Sequence, residues 1–208
     1  MRMRKKKHTA KRIQACAEYL DYKYMFDSDK INKKIYMEIG CGKGDFICGM
    51  AREYPDINFI AVEYISDVIV TAMEKAKNLN LPNVRFINAD AKLLEEYIKP
   101  CSVSKLYLNF SDPWQKRYQW HFRLTHKKFL DIYKKILTPG AKIILKTDNK
   151  DFFDYSVRSL ASNGFIIEHQ IYDLYNSDYT EGNIQTEYEK KFVEQNIPIC
   201  YLSAVFSE

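Results

Sequence analysis

Five short apolar runs, each followed by a stretch with helical spacing, constrain this chain more than any other feature. Residues 35–39 (IYMEI), 58–63 (NFIAVE), 84–88 (VRFIN), 105–110 (KLYLNF) and 141–146 (AKIILK) read as strands. Residues 45–54, 66–79, 93–98, 124–137 and 152–162 carry apolar side chains at helical spacing; Pro55 follows the first and Pro139-Gly140 stops the fourth. Strands that read as nearly continuous apolar runs are buried on both faces, and parallel neighbours need long crossovers. The alternation therefore predicts a mostly parallel sheet with helices on both sides, a three-layer α/β sandwich. The end of the chain breaks the rhythm. Residues 164–171 and 199–206 read as two strands separated by a loop and a helix-like 186–194.

Ligands of such sheets bind at the carboxyl ends of the strands. The first strand delivers Glu38-Ile39-Gly40-Cys41-Gly42-Lys43-Gly44 there. Glycines at alternate positions let a backbone turn tightly and come close to a ligand. A dinucleotide fingerprint, counted from Gly40, needs its third glycine where this chain has Asp45. Pyrophosphate seeks a helix N-terminus free of negative charge, whereas Glu38 and Asp45 suit a ligand with a cationic end. S-adenosyl-L-methionine, with an ammonium and a sulfonium, fits this loop better than NAD does. The second strand ends in Glu63, placed to accept two ribose hydroxyls. The third ends in Asn88-Ala89-Asp90, where an acid accepts from an adenine amino group. Each acid also suits a helix cap; three at successive strand ends outline a nucleoside pocket.

The fourth strand runs into Asp112-Pro113-Trp114 and then Gln115-Lys116-Arg117-Tyr118-Gln119-Trp120-His121-Phe122-Arg123. Proline restricts Asp112 to extended backbone and can aim its carboxylate into the pocket. Interleaved cations and aromatics suit phosphates and bases. Stacking of RNA on Tyr118, Trp120 or Phe122 is one reading of this segment; packing under a loop or at a subunit interface is the other. Charge is uneven as well. Seven cations and no acid fall within residues 1–12, against a net +5 for the chain, which leaves the rest at −2. Such a basic arm suits a polyanion and equally a solubilising tail. Residues 1–34 are thus expected as arm and leading segment, and 35–208 as one domain. The five cysteines show no metal-ligand spacing, so small apolar fillers and no metal are expected. No apolar run is long enough to span a membrane and no secretory signal is evident, so a cytoplasmic, membrane-free protein is expected.

Five motifs together resemble the tRNA (guanine-N7)-methyltransferase family: Met1-Arg-Met-Arg4, Glu38 to Gly44, Asn109-Phe-Ser-Asp-Pro-Trp114, Lys146-Thr-Asp-Asn149 and Glu181-Gly-Asn-Ile-Gln-Thr-Glu-Tyr-Glu189. The resemblance covers nearly the whole chain. It implies a Rossmann-like class I methyltransferase with a seven-stranded sheet, an antiparallel last strand and S-adenosyl-L-methionine as cofactor. It implies tRNA as partner and methylation at N7 of guanine 46 in the variable loop. By motif, Glu38, Gly40, Gly42, Glu63, Asp90 and Asp112 are implied cofactor contacts, with Asp112 also catalytic. Lys116, Asp148, Thr186 and Glu189 are implied contacts of the substrate nucleotide, and Arg2, Arg4, Arg117, Tyr118 and Arg123 of RNA. The family usually reads Pro-Lys-x-Arg-His-x-Lys-Arg-Arg-Leu after the tryptophan. Here Lys116, Arg123 and Leu124 remain, while a proline, a histidine and several cations are replaced, partly by aromatics. Three alternatives stay open. One is an exocyclic-amine methylase, though the second proline of its motif is absent. The others are an NAD-dependent oxidoreductase and a tRNA-binding module without catalysis.

Overall fold

The computed structural model describes residues 8–21, 33–180 and 182–206, so Arg2, Arg4 and Glu181 lie outside the described residues. The seven strands are β1 (Ile35–Ile39), β2 (Asn58–Val62), β3 (Val84–Ile87), β4 (Val103–Asn109), β5 (Leu137–Thr147), β6 (Phe165–Ile171) and β7 (Cys200–Phe206). They form one sheet in the order β3-β2-β1-β4-β5-β7-β6. The first five pair in parallel, and β7 runs antiparallel to both β5 and β6. The expected sheet with an antiparallel last strand is therefore observed.

Successive side chains of a strand point to opposite faces, and the core divides accordingly. Met37, Ile60, Val62, Leu106, Leu108, Ile143 and Leu145 join one apolar cluster with residues of α4 (Leu94–Tyr97), α5 (Lys127–Ile136) and α6 (Lys150–Ser162). Phe59, Ala61, Phe86, Tyr107 and Ile144 join another with α2 (Asp45–Glu53) and α3 (Ser66–Asn78). Glu38 and Lys146 alternate with members of the first cluster, so both face the α2 side.

Several boundaries differ from the sequence expectation. The helix expected over 124–137 starts at Lys127, because Nδ1 of His126 accepts from the Lys128 amide and caps it. The strand expected from 141 begins at Leu137, and its register with β4 shifts across Pro139-Gly140, between the Leu137 and Lys142 pairings. Residues 8–21 do not stand apart as an arm. Here α1 (Thr9–Gln14) docks on α3 through Thr9 to Asp67 and a bidentate Arg12–Glu74 pair at 2.6–2.8 Å. Cys16, Tyr19 and Leu20 are buried, and Leu20 bridges to Phe86 of β3. These residues thus pack on α3 and beside β3. Cys16, Cys41, Cys48 and Cys200 are buried free thiols, as fillers should be, whereas Cys101 is exposed. No helix among the described residues is long and apolar enough to cross a membrane.

Candidate active site

The order β2-β1-β4 means that the chain leaves β1 in one direction and later returns on its other side. The loops after β1, β2, β3, β4 and β5 all open on the same edge, at this switch point. A cleft of about 480 Å³ lies there, lined by Gly40, Gly42, Glu63, Asp90, Asp112 and Tyr188 among others. A smaller recess of about 60 Å³ joins it, lined by Glu38, the glycine turn, Asn109, Phe110 and residues 186–188. Five of the six expected cofactor residues thus share the cleft and Glu38 forms the recess beside it.

The glycine turn is held by Val62, whose carbonyl accepts from the amides of Gly40 at 2.8 Å and Cys41 at 3.1 Å. Gly42 sits at φ +56°, a left-handed conformation that side chains resist, and a Cβ there would meet only open space. Gly44 is constrained twice: φ is +80°, and a Cβ would lie 2.6 Å from Cβ of Ala72 on α3.

Glu38 is 2 % exposed. Its Oε1 accepts from Nδ2 of Asn109 at 2.8 Å, while Oε2 is buried without a partner. Burial pushes this carboxyl up to about 8, against the opposing pull of the Asn109 bond and the nearby Lys146 ammonium. Oδ1 of Asn109 and Oγ of Ser111 are likewise buried and unpartnered. Buried polar atoms normally have partners, so three such oxygens at neighbouring strand ends mark a place for donors. Glu63 accepts from the amides of Gly42 (3.2 Å) and Ile65 (2.9 Å). Asp90 accepts from the Lys92 amide at 2.9 Å and caps the short turn that follows β3. The cationic partner expected of Asp45 is internal: its carboxylate is paired with Lys75 of α3.

The segment after β4 is the most distorted part of the site. Phe110 and Trp114 are at φ +50° and +42°, conformations that cost a non-glycine residue about 1–3 kcal/mol each. Arg123 holds the segment in place. Its Nε donates to the Pro113 carbonyl at 2.7 Å and Nη2 to that of Trp114 at 3.3 Å. The guanidinium lies 4.6 Å from the Trp120 ring centroid and 4.4 Å from that of Tyr155. At 3 % exposure Arg123, expected as an RNA contact, is placed as a brace for the Asp112 turn. The aromatics divide between the two readings: Trp120 packs inward on Tyr155, whereas Tyr118 is 68 % exposed beside Lys116. Lys116, Arg117 and Asp148 are exposed and line none of these hollows.

Thr186 and Glu189 form the capping box of α7 (Glu187–Glu194). Glu189 is fully buried. Its Oε1 accepts from Tyr175 and Asn183, and Oε2 from Lys146 and the Thr186 amide. Glu189, expected as a substrate contact, thus has all these partners within the protein, and Thr186 lines the Glu38 recess. Sequence reasoning assigned no part to Asn109, Lys146 and Tyr188. All three lie inside the quoted motifs, which was the available signal.

A parallel sheet with one antiparallel strand, a glycine turn after β1 and acids after β1, β2 and β3 define the class of Rossmann-like methyltransferases. The fold is similar to the 16S rRNA methyltransferase KamB (TM-score 0.65, 13 % identity, 91 % of this chain and 98 % of that one). It is also similar to a SAM-dependent methyltransferase from Aquifex aeolicus (TM-score 0.59, 13 % identity, 97 % and 100 %). Residues 32–202 match the family described as "Putative methyltransferase". The chain is 46 % identical over 175 residues to a tRNA (guanine-N(7)-)-methyltransferase of Listeria monocytogenes serotype 4a (strain HCC23), covering 84 % of this chain and 81 % of that protein. It is 45 % identical over 165 residues to the protein of that name from Bacillus subtilis (strain 168), covering 79 % and 77 %. The chain belongs to the tRNA (guanine-N(7)-)-methyltransferase family.

Proposed function

We propose that this protein methylates N7 of a guanine in tRNA, at guanine 46 of the variable loop, with S-adenosyl-L-methionine as methyl donor. The observation that carries this reading is the buried Glu38 carboxylate, one oxygen bare, at the end of a cleft edged by Glu63, Asp90 and Asp112. A bare carboxylate oxygen suits an ammonium, and the acids along the cleft suit ribose hydroxyls and an adenine amine. When bound, the cofactor supplies an activated methyl group on a sulfonium.

The chain's own residues have a limited task. Guanine N7 carries an in-plane lone pair and no proton at neutral pH, so attack needs no general base. Positioning dominates, and placing two reactants well supplies roughly 7–11 kcal/mol at best. Asp112, held by the Arg123 brace, and Asp148, just beyond β5, accept from N1–H and the 2-amino group of guanine. Adenine lacks that donor pair, so the same acids select the base. Both carboxylates also offset the positive charge that develops on the ring. Exposed Lys116, Arg117 and Tyr118, with Arg2 and Arg4 of the basic arm, hold the RNA backbone and its unpaired bases.

The test is incubation with methyl-labelled S-adenosyl-L-methionine and unmodified tRNA transcripts, followed by chemical cleavage at N7-methylguanosine. Cleavage at the variable-loop guanine is expected. Label at another base would overturn the site, and absence of label the reaction.

A further inference from the structure

Lys146 is buried at 2 % exposure on β5, and the reaction above gives it nothing to do. A desolvated ammonium is costly unless its protons are well used. Its Nζ donates to Oδ1 of Asn183 (2.9 Å), to the carbonyl of Ile184 (3.1 Å) and to Oε2 of Glu189 (2.5 Å). Three protons meet three acceptors: two on the segment that leads into α7 and the third, Glu189, in its first turn. That segment walls the Glu38 recess through Thr186, Glu187 and Tyr188.

The other anchors of this wall are weaker. Lys43 of the glycine turn reaches Glu187 at 2.9 Å, but both side chains are substantially exposed, and exposed pairs contribute about 0–1 kcal/mol. Phe110 stacks on Phe192 with centroids 5.8 Å apart. Ile184 rests on Gly49 of α2, where a Cβ would come within 2.8 Å of its methyl. None of these fixes the direction of the capping-box turn as a buried ion pair with three directed bonds does.

We propose that Lys146 is a positioning residue for methyl transfer, fixing α7 against the Glu38 recess so that the cofactor site is walled by residues some 43 positions further along the chain. The inference rests on the reading above only for what the recess binds. The placement of α7 is a separate quantity, measurable without any ligand.

The test compares the full-length wild type with Lys146→Met, Lys146→Arg and the double variant Lys146→Met/Glu189→Gln. The double variant removes the unpaired buried carboxylate while keeping one acceptor oxygen, the one that serves Tyr175 and Asn183. In ligand-free protein, amides of α7 are expected to exchange at least ~10-fold faster in Lys146→Met, with β1 and β4 unchanged. The cofactor KM is expected to rise by ~10-fold or more, beyond any fall in kcat. Lys146→Arg recovers most of both effects; the double variant recovers the melting temperature but not the KM. Unchanged α7 exchange in Lys146→Met overturns the inference. So does a double variant with wild-type cofactor KM, which would make the pair a matter of stability alone. Should the wild type fail to bind S-adenosyl-L-methionine while α7 still loosens in Lys146→Met, the cofactor reading falls and the positioning role stands.

Discussion

Asn109 secures one oxygen of the Glu38 carboxylate, at 2.8 Å, and leaves the other bare inside the protein. Burial raises this group from an ordinary 4.5 to about 8, so at neutral pH it holds a proton that a cationic ligand must displace. Titration calorimetry of S-adenosyl-L-methionine near pH 7, in buffers of different ionisation enthalpy, should detect proton release that fades above pH ~8.5. Glu38→Gln should abolish the release and weaken binding. A buffer-independent heat for the wild type would mean that Glu38 is already ionised. The sign for stability follows from the same shift. A carboxyl raised on folding stabilises at low pH and loses that contribution as pH rises from about 4.5 to about 8. The ligand-free Glu38→Gln variant should therefore lose less stability across that window than the wild type.

The acids of the site should separate by role. Asp112→Ala and Asp148→Ala should reduce methylation by at least ~100-fold while cofactor affinity falls less than in the Glu38 and Glu63 variants. Glu38→Ala and Glu63→Ala should act chiefly on cofactor affinity. A uniform loss of cofactor affinity across all four variants would refute this division.

Arg123→Ala should damage the fold as well as the reaction. It leaves the Pro113 and Trp114 carbonyls without their charged donor, a loss of about 2–3 kcal/mol, or roughly 4–12 °C in melting temperature for a chain of this size. Methylation should fall, because Asp112 lies on the turn that Arg123 braces. The salt dependence of tRNA binding should stay as it is. A flattened salt slope would restore Arg123 to the RNA surface.

Removing residues 1–7 takes away Arg2, Arg4, Lys5, Lys6 and Lys7. The slope of log affinity for tRNA against log salt should flatten by up to ~4, and by less than ~1 for Lys116→Ala or Arg117→Ala. A slope that ignores the deletion would leave the arm without a role in RNA binding.

The sheet was legible because buried strands must be short and apolar, and helical crossovers must separate parallel ones. The edge that carries the cleft was legible for a related reason: glycines and acids at strand ends have little to do in a core. Other features carried no local signal. A six-residue helix such as α1 is too short to display a period. Arg123 reads as a surface cation, and two backbone carbonyls and three aromatic faces make its burial tolerable. Gly49 reads as a weak residue in a helix until Ile184 is seen resting against it. Glu189 fits a recognition motif in sequence, yet its partners come from β5 and from two turns of the 174–184 segment.

The insertion of β7 between β5 and β6 also fixes an order of assembly. Strand β6 has no neighbour in the sheet until β7 pairs with it, and α7 precedes β7 directly in the chain. Both pairings of β7, with β5 and with β6, therefore wait on residues 200–206. A chain interrupted before α7 would hold the glycine turn, the acids of the cleft and Lys146, and still lack the wall that Lys146 secures. The recess beside Glu38 therefore stays open on that side until α7 has been made.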